Sequence, residues 1–182
     1  MKIRDSGMTD ECYWESLFDV PLIVSRLGID CCHDVAELGC GYGTFSIPVA
    51  KAISGRLYTF DIDPEMVART KARADSLPMV CETSDVMESG FGVHVDAVLL
   101  FNILHCERPV ELLSHAANAL CADGQVLAIH WKYGNTPRGP SLEIRPQPEQ
   151  IIEWAAKAGL RPLGEVIALP PWHYGLRFGL MD

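Results

Sequence analysis

The 182-residue sequence predicts an α/β fold, a mostly parallel sheet with helices on both faces, and three stretches predict it. In the first, a strand-like run ends in Glu37, passes through Gly39, Gly41 and Gly43, and continues with Phe45, Val49, Ala52 and Ile53 at helical spacing. Strand, glycine turn and helix in that order make the opening half of a Rossmann-type βαβ unit. In the second, Arg56 to Asp61 reads as a strand that closes in an acid. Asp63-Pro64 follows it, an N-cap with proline at the first helical position, launching a helix to about Ser76. In the third, Val95 to Phe101 is apolar almost throughout, as a strand buried on both faces of a parallel sheet would be.

The spacing of the glycines separates two ligand classes. A dinucleotide turn reads Gly-x-Gly-x-x-Gly/Ala. From Gly39 that would place the last small residue at Thr44, and from Gly41 at Ser46. The sequence has acid-x-Gly-x-Gly-x-Gly instead. The run Glu37-Leu38-Gly39-Cys40-Gly41-Tyr42-Gly43 resembles motif I of the class I S-adenosylmethionine (SAM)-dependent methyltransferases. The resemblance implies that the glycine turn passes under the methionine part of SAM and that Glu37 holds its amino group through water. A carboxylate there suits a ligand that brings an ammonium and a sulfonium, where a bare helix N-terminus suits phosphate.

The resemblance extends along the chain. Phe60-Asp61-Ile62-Asp63-Pro64 is similar to the family's motif II, which implies that Asp61 binds the ribose diol and Ile62 packs on the adenine. Pro78 to Thr83 reads as a third strand, and Ser84-Asp85-Val86 falls where the family places an acid for the adenine amino group and a backbone N–H for the ring. Asp85 also reads as an ordinary helix N-cap. Asn102-Ile103-Leu104-His105-Cys106, after the fourth strand, is similar to motif IV. Asn102 is expected to touch the methionine end of SAM. His105 is the candidate general base, since its pKa lies near neutrality, and a structural histidine at this strand-to-helix turn is the competing reading. The prolines that grip a flipped base in some nucleic-acid methylases are absent, with Ile103 and Leu104 in their places.

The remaining elements complete a single domain. From Thr9 to about Leu27, Tyr13, Trp14, Leu17, Phe18, Leu22, Ile23 and Leu27 recur at helical spacing, Pro21 divides the stretch into two pieces, and Gly28 ends it. Residues 1–28 are expected to form a helical lid, with Tyr13 and Trp14 touching the acceptor or packing on the sheet edge, ahead of a core over 29–182. Residues 1 to 8 read as a polar tail. A helix over Pro109–Leu120, a turn at Asp123-Gly124, a fifth strand to Trp131 and a helix over Gln147–Ala158 follow, then strands over Leu160–Leu169 and Tyr174–Met181. The loop from Lys132 to Pro148, with Trp131, Lys132, Tyr133, Arg138, Glu143 and Arg145, is expected to shape the acceptor pocket, Trp131 among the residues that bind the acceptor. The resembled fold implies seven strands in the order 3-2-1-4-5-7-6, the last one antiparallel, and the small cap-less type of the family designated methyltransferase domain 11/25.

Composition narrows the partners. The net charge of −9 argues against a binder of the nucleic-acid backbone, so no nucleic acid is expected. No apolar run of about 18 residues occurs, and the first thirty lack the apolar core of a signal peptide, so no membrane is expected and the cytoplasm is the expected compartment. None of the seven cysteines forms a Cys-x-x-Cys pair, and no metal set is expected. The oligomeric state stays open between monomer and homodimer.

The resemblance implies SAM as cofactor, S-adenosylhomocysteine (SAH) as product, and an in-line methyl transfer, with a small molecule as the expected acceptor. Three other readings remain: a NAD-type oxidoreductase, a non-catalytic scaffold in a SAM fold, and a metalloid methyltransferase working through Cys31, Cys32 and Cys106.

Overall fold

The computed structural model describes residues 9–181, and the tail expected over 1 to 8 lies outside them. Eight strands form one sheet: β1 (Val35–Leu38), β2 (Leu57–Asp61), β3 (Met79–Thr83), β4 (Val95–Phe101), β5 (Leu120–Trp131), β6 (Leu160–Pro162), β7 (Ile167–Leu169) and β8 (His173–Leu180). Their order is β3-β2-β1-β4-β5-β8-β6, with β7 also paired to β8. The first five are mutually parallel, and β8 runs antiparallel to β5, β6 and β7.

This is the expected path with one correction, eight strands in place of seven. The single strand expected over 160–169 is two short ones, because the chain turns at Gly164 with φ +90° before β7 begins. A second difference is at β5, which starts at Leu120 and runs through the turn expected at Asp123-Gly124. Its pairing with β4 shifts register between Val95 and Ala97, so the extra residues are absorbed as an irregularity.

Among the described residues seven α-helices cover the sheet: α1 (Glu11–Glu15), α2 (Val20–Leu27), α3 (Ser46–Ala52), α4 (Pro64–Ala74), α5 (Val86–Ser89), α6 (Pro109–Asn118) and α7 (Pro148–Lys157). The stretch expected as two helical pieces is two helices, α1 and α2, and Pro21 sits in the first turn of α2, where Asp19 caps by accepting from the Leu22 N–H at 3.1 Å. Asp63 caps α4 by accepting from the Glu65 N–H at 2.9 Å, with Pro64 next as the sequence predicts.

The alternation of β4 and β5 sorts the core into two layers. Val98, Leu100, Val126 and Ala128 pack with Leu112 and Leu113 of α6 and Ile151 and Ala155 of α7. Leu99, Leu127, Ile129 and Trp131 pack with Ile23, Val24 and Leu27 of α2 and Val49 of α3. The carboxyl ends of the parallel strands therefore emerge between two helical layers, and there a ligand of an open α/β sheet sits.

At the opposite edge the chain enters β2 through a tight contact. A Cβ on Gly55 would stand 2.5 Å from the His33 carbonyl oxygen and 2.4 Å from Asp34 Oδ1. Asp34 Oδ1 accepts the Arg56 N–H at 2.7 Å, so neither neighbour can give way without losing a bond. Gly55→Ala is expected to lower stability by about 1–3 kcal/mol, the usual cost of forcing extra volume into a packed site. Urea unfolding of the variant checks it, and an unchanged midpoint would contradict the contact.

Candidate cofactor and acceptor site

The turn after β1 takes left-handed backbone at three alternate positions, Gly39 at φ +85°, Gly41 at +50° and Gly43 at +79°. A side chain at any of these positions would carry a conformational penalty. The turn is held from several sides. The Gly39 N–H donates to the Phe60 carbonyl at 2.7 Å, the Thr70 hydroxyl donates to the Gly41 carbonyl at 3.0 Å, and Arg73 donates to the Tyr42 carbonyl at 2.5 Å.

Asp61, the last residue of β2, is bound to this turn. Its Oδ2 accepts from the Gly41 N–H at 3.1 Å and its Oδ1 from the Asp63 N–H at 3.0 Å. A carboxylate has about four acceptor positions, so both oxygens keep capacity for the two hydroxyls of a diol while the main chain fixes their direction.

Glu37 lies on the inner side of the same turn and is 2% exposed. Its Oε2 accepts from the Ser46 hydroxyl at 2.5 Å and the Thr59 hydroxyl at 3.0 Å. Burial pushes its pKa up from 4.5 to about 7, against the pull of the Ser46 and Thr59 hydrogen bonds and with the Asp61 charge adding to the rise. No basic side chain pairs with it in these contacts. A buried carboxyl poised near neutrality is completed by a cation, which an ammonium and sulfonium ligand brings.

Ile62, Thr83, Ser84 and Asp85 line one shallow cleft beyond the end of β2. The two residues expected around an adenine from separate motifs, Ile62 and Asp85, are thus brought together. Ile62 is 43% exposed, so its side chain is available as a face for a planar ring. Asp85 also does what the capping reading expects, accepting the Met87 N–H at 3.0 Å at the start of α5. Val86 points its side chain into the core at 1% exposure, leaving its backbone as the only part that can serve the cleft.

At the end of β4, Asn102 takes φ +55°, rare for a residue with a side chain. Its Nδ2 and Oδ1 are both buried without a hydrogen-bond partner, and so is the hydroxyl of Thr44 in the glycine turn. Leaving such groups unmet costs about 1–3 kcal/mol each, so a strained asparagine with an unmet amide is what a missing polar ligand leaves behind. The buried carboxyl of Glu37, the Asp61 carboxylate and this donor–acceptor amide have the chemistry to receive a ligand that carries an ammonium and a diol.

His105 follows in the turn between β4 and α6 and is 7% exposed. Its Nδ1 lies 3.3 Å from Nε2 of His130, a residue of β5 that no sequence signal singled out. Trp131 is 2% exposed and packs against His173 at 4.2 Å between ring centroids and Phe18 at 6.1 Å, so its indole is core in this structure and not an open wall. Trp14 is half-buried with its ring edge toward Phe18 and Trp131, while Tyr13 is 43% exposed. Among the described residues no three His, Cys, Asp or Glu side chains converge as a metal set, and no helix is long and apolar enough to cross a membrane.

The loop between β5 and α7 is organised by Arg145, expected only as one of the residues of that loop. It donates to the carbonyls of Pro140 at 2.6 and 3.0 Å, Lys132 at 3.1 Å and Gly134 at 3.1 Å, and to the Thr136 hydroxyl at 2.8 Å. A guanidinium satisfied by main-chain oxygens is a staple for the loop that borders the acceptor side.

Residues 35–124 match the family model described as methyltransferase domain. Among solved structures, the SAM-dependent methyltransferase of Aquifex aeolicus superposes with a TM-score of 0.80 at 20% identity, over 93% of each chain. The magnesium protoporphyrin IX methyltransferase of Synechocystis PCC 6803, with bound SAH, gives 0.72 at 19% identity over 97% of this chain and 90% of that one. The O-methyltransferase NcsB1 of neocarzinostatin biosynthesis, in complex with SAH and 1,4-dihydroxy-2-naphthoic acid, gives 0.76 at 16% identity, over 87% of this chain and 52% of that one. No curated protein sequence gives a significant match.

The raised pKa of Glu37 carries a sign. A carboxyl whose folded pKa lies above its unfolded value stabilises the fold most below about 4.5 and loses that contribution as pH rises through about 7. Glu37→Gln cannot ionise. The stability of the cofactor-free wild type minus that of Glu37→Gln is therefore expected to fall between about pH 5 and pH 8, read from urea midpoints. A difference that stays flat or rises would contradict the assignment.

Proposed function

We propose, from the premise that this chain carries a class I SAM-dependent methyltransferase domain, that it methylates a small-molecule acceptor by in-line displacement. The observation that carries the site assignment is the alignment of buried Glu37, the left-handed glycine turn and Asp61 along one edge of the sheet, ending at an unmet Asn102 amide. SAM supplies the methyl already activated as a sulfonium. The chain's own task is then to bind, orient and exclude water.

In this reading Asp61 accepts from the ribose hydroxyls, and Ile62 and Asp85 hold the adenine with the Val86 backbone. Gly39, Gly41 and Gly43 let the main chain approach closely, and Glu37 and Asn102 engage the amino acid end. His105 reaches toward the acceptor.

The N-terminal segment 1–28 acts as a lid over the core of 29–182. Support comes from α1, whose Glu11 pairs with Arg69 and with Arg73 at 2.6 Å, while the Tyr42 hydroxyl of the glycine turn donates to the Thr9 carbonyl at 2.9 Å. The segment thus touches the turn that would lie under the cofactor, and it presents Tyr13 and Trp14. The acidic chain, at net charge −9, favours a small molecule over nucleic acid as acceptor. Cys12, Cys31, Cys32, Cys40, Cys81 and Cys121 are free thiols, which fits a cytoplasmic location.

Calorimetric titration with SAM, SAH and NADH tests the reading. Binding of both adenosyl ligands without NADH is expected. NADH binding alone would favour an oxidoreductase, and no binding of either adenosyl ligand would leave a scaffold in a methyltransferase fold. Asp61→Ala should weaken SAM by about 1–3 kcal/mol, the scale of lost hydrogen bonds to a charged acceptor. Its thermal stability is compared in parallel, because Asp61 also ties down the Gly41 and Asp63 amides. His105→Ala should lower turnover far more than SAM affinity; equal losses in both would place His105 at the cofactor.

A further inference from the structure

His105 and His130 form a buried pair whose proton positions follow from one fixed donor. The backbone N–H of Trp131 donates to Nδ1 of His130 at 3.0 Å. An amide hydrogen cannot be reversed, so Nδ1 of His130 must present its lone pair. His130 is fully buried, and burial drives its pKa well below the ordinary value against the pull of a backbone hydrogen bond with Trp131. It is therefore neutral, and a neutral imidazole with a lone pair on Nδ1 carries its proton on Nε2. That Nε2 lies 3.3 Å from Nδ1 of His105, so His105 Nδ1 is the acceptor and the one ring proton of His105 sits on Nε2.

We infer that His130 is a positioning residue that locks His105 in the Nε2–H form, in which His105 keeps no lone pair for the work of a general base. To accept a proton, His105 would have to place it on Nδ1, where the His130 N–H already points. Two donors would then face each other at 3.3 Å, a separation that leaves no room for a water between them. What the loss of a base means for the acceptor rests on the methyltransferase reading of the site. The tautomer does not, since it follows from hydrogen bonds within the chain.

The test is long-range 1H–15N correlation of the histidine rings in the full chain with SAH present, with the His105 signals assigned by their loss in His105→Gln. The wild type should show His105 protonated at Nε2 and not at Nδ1 across the neutral range. His130→Phe removes the donor, and His105 should then move toward a mixture of tautomers. His130→Gln keeps a side-chain N–H and should restore the Nε2–H form. Protonation of His105 at Nδ1 in the wild type, or a His105 signature unmoved in His130→Phe, would overturn the inference. Should His130→Phe not fold, the wild type and His130→Gln still decide it, because both must show Nε2–H. SAH binding on the same samples reports separately: its absence with the tautomer intact would retire the cofactor reading and leave the pair standing.

Discussion

The fold around the site depends on one backbone constraint, the requirement that the chain leave β1 and enter α3 through three left-handed residues in five positions. Glycine meets that requirement at 39, 41 and 43 without a Cβ penalty. Once the turn is made, its polar groups need partners, and the neighbouring strands supply them. Gly39 is bonded to Phe60, Gly41 to Asp61 and Thr70, and Tyr42 to Arg73. The same bonds that satisfy the turn align the carboxyl end of β2 beside that of β1. Ligand geometry and loop stability are therefore one problem here. A side chain added at Gly43 would meet the Thr70 hydroxyl at 3.3 Å as well as straining the backbone, so its damage would spread to α4.

Much of this was legible because it is local. The acid-x-Gly-x-Gly-x-Gly run, the Asp61 strand end and the Asp63-Pro64 cap each lie within a few residues and encode their own conformation. Ile62 and Asp85 could be placed in one cleft because parallel neighbours β2 and β3 deliver their carboxyl ends to the same edge. The split of β6 from β7 was less legible: one glycine at 164 in an otherwise strand-like run signals a bulge as readily as a break. The pairing of His130 with His105 was not legible at all. It joins residues 25 apart through the register of β4 with β5, and His130 reads in sequence as one more member of an apolar strand. The role of Arg145 was hidden for a related reason, since its partners are carbonyls, which every residue possesses and no sequence displays. Trp131 misled in the other direction: an aromatic at a strand end suggests a pocket wall, but Phe18 and His173 close over it.

Two buried ionisable groups at this edge are governed by opposite logic. Glu37 is held by two hydroxyl donors in a place where burial disfavours its charge, so its ionisation can answer to a cation arriving nearby. His105 is denied that freedom by its neighbour. One group is left responsive and the other is fixed, which suits chemistry in which charge is brought by the ligand and the leaving group is already activated.

The contacts of the N-terminal segment divide it by strength. The ion pairs of Glu11 and Glu15 with Arg69 and Arg73 are made by partly exposed side chains, and such pairs contribute about 0–1 kcal/mol each. No residue of α1 is buried. Two residues further on, Leu17 and Phe18 are 3% and 8% exposed, and Phe18 lies against Phe45 at 4.9 Å and stacks on His173 at 4.6 Å. Full burial of one such side chain contributes about 1.5–3 kcal/mol, more than the whole set of surface pairs can be relied on to supply. If the segment opens to admit a ligand, the inexpensive motion is therefore a lifting of α1 about Ser16, with Phe18 and α2 staying seated. That motion would release Tyr42 from Thr9 and uncover the glycine turn while leaving the aromatic layer beneath it intact.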